Sequence, residues 1–317
     1  MKRLRVVVSL ITQDNDFQVE QAAAAEEAAR KLGVDVEILY ADNDSIQQSQ
    51  QILNHVQASA DARPCGIILE PVGATSLPQV AKAAAAAGIP WVVLNRQPDY
   101  LRELRKSAAV PLFSITSDNL EIGRIQAKQL GALLPDGGSV LHILGPGETD
   151  AGRLRTEGLN ESKPAGLQIK TLKGSWTEAS AHNAVTGWLR LSTSQQARID
   201  VIAAQNDAMA AGAKKAFQQF AYEGAGREHW LTLPFIGVDG VPKTGQAWVR
   251  SGLLTATVIA PPLAGTALEM LVHALSTNTR PPECTMVPPQ SFPALEMLGT
   301  KAKRKPIAQA AKSGEKA

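Results

Sequence analysis

The chain has 317 residues, a formal net charge of +2 and 44% hydrophobic residues, a globular composition too long for one ordinary domain and suited to two. The near-neutral charge gives no electrostatic reason to expect nucleic acid, and no apolar run approaches the ~18 residues of a membrane span.

In chain order, Val6-Val7-Val8-Ser9-Leu10-Ile11 reads as a strand buried on both faces. It starts within a few residues of Met1, is shorter than a secretory apolar region, and no cleavage site follows, so the expectation is a strand and not an export signal. A helix over 17–32 stopped by Gly33, a strand at 34–40 and a helix from Ser45 to about Ala58 come next. A strand at 66–69, a helix through 81–87 and a strand at 90–94 complete a run of βα units, which implies a parallel sheet with right-handed crossovers. Cys65 and Cys284 are too few for a disulfide framework and read as buried thiols. Residues 97–110 read as an exposed polar insertion.

Leu112–Asn119 is a short apolar strand ending in helix-start residues, and the alternation restarts after it. It is read as a hinge crossing. Helices at 122–134, 150–162, 177–191, 207–220 and 243–251 then alternate with strands at 139–144, 167–172, 199–203, 233–237 and 255–259. A helix after Pro261-Pro262 returns to the first half, and from Lys301 no apolar periodicity remains. The predicted fold is α/β: two Rossmann-like lobes with parallel sheets joined by a three-stranded hinge. The expected boundaries are 1–117 plus 261–290, then 118–260 plus 291–298, with a flexible basic tail over 299–317.

Ligands of open parallel sheets bind beyond the carboxyl ends of the strands. The residues there are Asn15 and Phe17 after strand one, Glu70 after strand three, and Asn95-Arg96 after strand four. In the second half they are Arg155 early in its helix, Trp176 after a strand expected to include Gly174-Ser175, Asn206-Asp207, and Asp239. Amides, carboxylates and guanidinium groups match hydroxyls that both donate and accept, and Phe17 and Trp176 can cover the C–H faces of a ring. Taken singly, each has a structural reading: Asn15, Asp16, Asn206 and Asp207 as helix caps, Asp239-Gly240 as a turn, Arg96 as surface, Trp176 as core. Their joint placement at strand exits is what points to a small polyhydroxylated ligand. Gly145–Gly152 fits neither dinucleotide nor P-loop spacing, the five histidines lack metal-ligand spacing, and there is no G-x-S-x-G elbow.

Ser117-Asp118-Asn119 with Gly123, Ala151–Gly158, Ala204–Ala213, Ile236–Gly240 and Gly252–Val258 together resemble the type I periplasmic binding proteins of sugar ABC transporters, ribose-binding protein and its relatives, over about Leu4–Leu298. The resemblance implies the periplasmic-binding-protein-like I fold, with Asn15 and Phe17 as first-loop sugar contacts and Arg96 and Arg155 as clasping arginines. It also implies Trp176 as an aromatic wall, Asn206 as an amide contact and Asp239 as a late carboxylate. Four positions depart from the family pattern: Asn95 where Asp is usual, Gln18 where a second aromatic often stands, Ala260 where glutamine is common, and Glu70 where ribose binders tend to carry Asn. The ligand is therefore not expected to be ribose.

The expectation is a non-enzymatic monomer, without cofactor or metal, that closes on a sugar or polyol and presents it to an ABC permease or a sensor or chemoreceptor. The resemblance places it in the periplasm or cell envelope; the N-terminus favours the cytoplasm. A cytoplasmic ligand sensor, an effector core like those of LacI-type repressors without their DNA-binding domain, stays open as the alternative. An enzyme using Asp207 and Asp239 as acid and base is set aside, because no nucleophile or metal set accompanies them.

Overall fold

The computed structural model describes residues 3–72, 77–195, 197–222 and 228–302. The first sheet holds β1 (Arg5–Leu10), β2 (Asp35–Tyr40), β3 (Gly66–Leu69), β4 (Trp91–Leu94), β5 (Leu112–Ser117) and β11 (Cys284–Val287), ordered β11-β5-β4-β3-β1-β2. The second holds β6 (Gly138–Leu144), β7 (Leu167–Lys173), β8 (Val201–Ala204), β9 (Phe235–Asp239), β10 (Ala256–Ile259) and β12 (Gln290–Phe292), ordered β12-β10-β9-β8-β6-β7. β12 runs antiparallel to β10; the other described pairs are parallel. The chain crosses between sheets after β5, after β10, and between β11 and β12. Gln290 already pairs with Ile259 in the second sheet.

The first lobe carries α1 (Asp16–Leu32), α2 (Ser45–Gln57), α3 (Pro78–Ala86), α4 (Tyr100–Ser107) and α11 (Ala264–Thr277). The second carries α5 (Asn119–Leu133), α6 (Asp150–Ser162), α7 (Glu178–Leu189), the short α8 (Ser192–Gln195), α9 (Asp207–Tyr222), α10 (Ala247–Ser251) and α12 (Leu295–Ala302). The central strands are buried on both faces, as their unbroken apolar runs require. Alternation divides each strand between two helix layers: Val6, Val8 and Leu10 pack under α1 and α11, and Val7 faces the other layer with Ile67, Leu69 and Trp91. Among the described residues no helix is long and apolar enough to cross a membrane.

Three expectations are corrected. Residues 97–110 are not simply an exposed insertion: they contain α4, whose Leu101 is buried in the core and whose Tyr100 hydroxyl accepts a hydrogen bond from the Trp91 indole at 3.2 Å. Cys65 and Cys284 are half-buried free thiols, because Cys65 stands just before β3 and Cys284 is the first residue of the edge strand β11. The strand before Trp176 ends at Lys173. Of the basic tail, Ala302 still belongs to α12, and residues 303–317 lie outside the described residues.

Short side chains at the termini of the helices fix where the strand exits point. Asn15, Asp44, Asp118, Thr149 and Thr177 accept hydrogen bonds from first-turn amides of α1, α2, α5, α6 and α7. α5 and α6 then approach backbone to backbone: a Cβ on Gly123 would overlap the Arg155 carbonyl, and one on Gly158 the Leu120 carbonyl. Gly158→Ala is therefore expected to lower stability by about 1–3 kcal/mol in urea unfolding, whereas Gly187→Ala, where a Cβ meets nothing, should be neutral or slightly stabilising.

Candidate functional site

A cavity of about 120 Å³ lies between the lobes. That is several times the ~10–15 Å³ a cavity needs to hold one water, room for a small-molecule ligand. All of Asn15, Phe17, Glu70, Asn95, Arg96, Arg155, Trp176, Asn206 and Asp239 line it. The first five come from the exits of β1, β3 and β4; the other four come from α6 and the exits of β7, β8 and β9. Asp207 does not line it: its carboxylate accepts from Thr257 Oγ1 at 2.7 Å and Gly240 N at 2.8 Å, holding the turn behind Asp239.

Asn15 and Asn206 each cap a helix and also line the cavity. Asn15 Oδ1 accepts from Phe17 N at 2.9 Å while its Nδ2 donates across the cleft to the Trp176 carbonyl at 3.3 Å. Asn206 Oδ1 accepts from Met209 N at 2.8 Å, and its Nδ2 donates to the same carbonyl at 2.9 Å. Trp176 is held in the left-handed region at φ +65°, a costly conformation for a bulky residue. Its indole lies over the Arg155 guanidinium, 5.6 Å from ring centroid to Cζ, and fills the space a Cβ on Gly145 would need.

Arg155 is the centre of the second-lobe wall. Its Nε donates to Asn119 Oδ1 at 3.0 Å, its Nη1 donates to the Gln205 carbonyl, and Asp239 Oδ1 stands 3.9 Å from Nη1. Burial lowers the Arg155 pKa, opposed by attraction to Asp239, Asp207 and Glu70. Burial also pushes Asp239 up to about 7, with Arg155 pulling it down and Glu70 and Asp16 pushing it further up. Asp207 is raised well above the usual carboxylate range, first by burial and then by the neighbouring charge of Asp239.

On the first-lobe side Glu70 is buried, and burial raises its pKa against the amides of Gln18, Asn95 and Gln21 and the charge of Arg96. Arg96 Nε donates to the Pro71 carbonyl at 3.3 Å. The cavity also takes in residues not singled out from the sequence as contacts, among them Gln18, Ser117, Thr149 and Asn119. Asn119 was legible only as part of the hinge; its bond to Arg155 spans 36 positions and leaves no local signal.

The model of the periplasmic binding protein domain matches residues 6–279. The chain belongs to that family. Among the relatives of this chain, a Rhizobium meliloti protein described as rhizopine-binding is 29% identical over 245 residues, covering 75% of this chain and 72% of the relative. The D-allose-binding periplasmic protein of Escherichia coli is 28% identical over 276 residues, covering 84% and 83%. The crystal structure of a Caulobacter myo-inositol-binding protein with myo-inositol aligns with a TM-score of 0.77 at 23% identity, over 96% of this chain and 97% of that one. The fold read from the sequence is the fold of this family, two α/β lobes dominated by parallel strands.

The Asp239 carboxyl fixes a pH dependence. Unfolded, it returns to ~3.9, so between about pH 4 and 7 the unfolded chain binds fewer protons than the folded one. That contribution makes the ligand-free fold less stable as pH rises through this window and constant above it. The thermal midpoint of Asp239→Asn relative to wild type should climb from pH 4 to 7 and then level off; a difference independent of pH would contradict the assignment.

Proposed function

We propose that this chain is a solute-binding protein that closes its two lobes on one monosaccharide or related small polyol and hands it to an ABC permease or a membrane sensor. The observation that carries this reading is the convergence of nine polar, charged and aromatic side chains from both lobes on one cavity. The groups are those a polyol needs: carboxylates and amide oxygens that accept, guanidinium and amide N–H that donate, and two aromatic faces for C–H surfaces. The relatives agree in kind, one named for D-allose and one bound to myo-inositol. Family membership and those names favour the cell envelope as its place and binding over catalysis as its task.

Closure follows from contacts already spanning the cleft, Asn15 Nδ2 to the Trp176 carbonyl and Lys243 Nζ to Glu20 Oε1 at 3.5 Å. A ligand touching both walls adds contacts available only in the closed form and so populates it. Titration calorimetry over monosaccharides and cyclitols, followed in parallel by tryptophan fluorescence from Trp176, is expected to find a ligand bound at micromolar or tighter affinity. Arg155→Ala should weaken that affinity by at least about a hundredfold, because truncation strands buried partners. Failure of every polyol in the panel to bind would end this reading.

A further inference from the structure

The first-lobe half of the cavity is built round the buried carboxylate of Glu70. Gln18 Nε2 donates to Glu70 Oε2 at 2.9 Å and Gln21 Nε2 to the same oxygen at 3.5 Å. Neither amide can turn round. Gln18 Oε1 accepts from Ile11 N at 3.0 Å, and Gln21 Oε1 accepts from the amides of Leu263 and Ala264 at 2.6 and 2.8 Å. Oε2 therefore faces two fixed donors and must accept from both. The main chain is fixed too: Gln48 Nε2 donates to the Glu70 carbonyl at 2.9 Å, and Gln48 Oε1 accepts from Val72 N at 3.0 Å.

Arg96 attracts Glu70, and its Nε is bonded to the Pro71 carbonyl; Arg155 is bonded to Asn119 and Gln205 and paired with Asp239. Among the described residues no lysine or arginine forms an ion pair with Glu70. Across the cavity Asp239 adds a second negative charge. A carboxylate buried among amides, attracted by Arg96 but in no ion pair among the described residues, is costly in the ligand-free protein, and that cost falls when a cation arrives to share the site.

We propose that the ligand carries a protonated amine and that Glu70 receives it: an amino-substituted monosaccharide or cyclitol, whose ammonium donates to the Glu70 carboxylate beside the amides of Gln18, Gln21 and Asn95. This rests on the polyol-binding reading above and narrows its ligand class. The competing arrangement, a protonated Glu70 donating to a neutral hydroxyl, makes the opposite demand on a substitution, since glutamine reproduces a protonated carboxyl and repels an ammonium.

The test is titration calorimetry at pH 7 on the full chain with matched compounds: glucosamine against glucose, galactosamine against galactose, an inosamine against its parent inositol, and the N-acetyl derivative of each amine. At least one amine is expected to bind roughly ten- to a hundredfold tighter than its hydroxyl parent, and N-acetylation should remove that advantage. Glu70→Gln should reverse the order within the pair, and its ligand-free thermal midpoint should be no lower than wild type. A parent polyol that binds as tightly as its amine, with the ranking kept in Glu70→Gln, overturns the amine assignment and leaves polyol binding standing. A clearly lower midpoint for Glu70→Gln also counts against it, because the protein's own groups would then be satisfying the charge. Binding by no member of either series removes both readings together.

Discussion

The guanidinium of Arg155 lies where the β5–α5 crossing, the exits of β8 and β9, and the ligand cavity meet, and it is nearly excluded from solvent. A buried charge of this kind is tolerated only while its partners stay in place, and losing one leaves an uncompensated charge worth about 3–5 kcal/mol. Each partner comes from a different element: Asn119 opens α5, Gln205 ends the β8 segment, Asp239 ends β9, and Trp176 covers the flat face. Gln205 is itself tied down, its Oε1 accepting from Gly145 N at 2.8 Å and its Nε2 donating to Thr156 Oγ1 at 2.8 Å. The close glycine contact of α5 with α6 sets the distance at which Asn119 can reach Arg155. The wall is thus a consequence of keeping one cation dry.

The carboxylates around that cation divide their tasks by environment. Asp207 turns both oxygens inward, to a threonine hydroxyl and a main-chain amide, and leaves no space at Gly237 or Gly245 for a side chain. It supports the turn that presents Asp239. Asp239 keeps its carboxylate on the cavity, opposite the Glu70 held by its glutamines. Burial leaves all three carboxylates above their ordinary range; Asp239 pushes Asp207 further up and Glu70 pushes Asp239 further up, while Arg155 pulls both aspartates down and Arg96 and the surrounding amides pull Glu70 down. A site so arranged gains from any ligand group that donates to them.

The two-lobed architecture was legible because doubly buried strands write themselves as unbroken apolar runs, and glycines such as Gly33 and Gly88 mark helix ends. Strand exits, the start of α6 and the family resemblance together pointed to nine of the residues that line the cavity. What stayed hidden depends on pairing at long range. α4 has polar outer faces, and Leu101, Tyr100 and Leu104 tell that it is docked; β11 and β12 are four and three residues long and are strands because β5 and β10 offer them edges. Gln18 looked like the loss of an aromatic neighbour to Phe17. In the folded chain it is the main donor to Glu70, so two positions that depart from the family pattern, far apart in sequence, are one interaction.

Backbone conformation supplies the remaining link between wall and closure. Asn43, Asn95, Trp176 and Asp239 all line the cavity with positive φ, a region that asparagine and aspartate enter at modest cost and tryptophan does not. Trp176 stays there because its carbonyl is gripped by two amides and its ring is wedged against Gly145. One grip, from Asn206, belongs to its own lobe; the other, from Asn15, comes from across the cleft and exists only when the lobes meet. Opening the cleft removes half of what holds a strained residue, so the ring that covers the ligand is held most firmly in the state that encloses it. Strain stored at a clamp in this way ties the order of the aromatic wall to the separation of the lobes, and the residue that makes the tie, Asn15, is also the cap that starts α1.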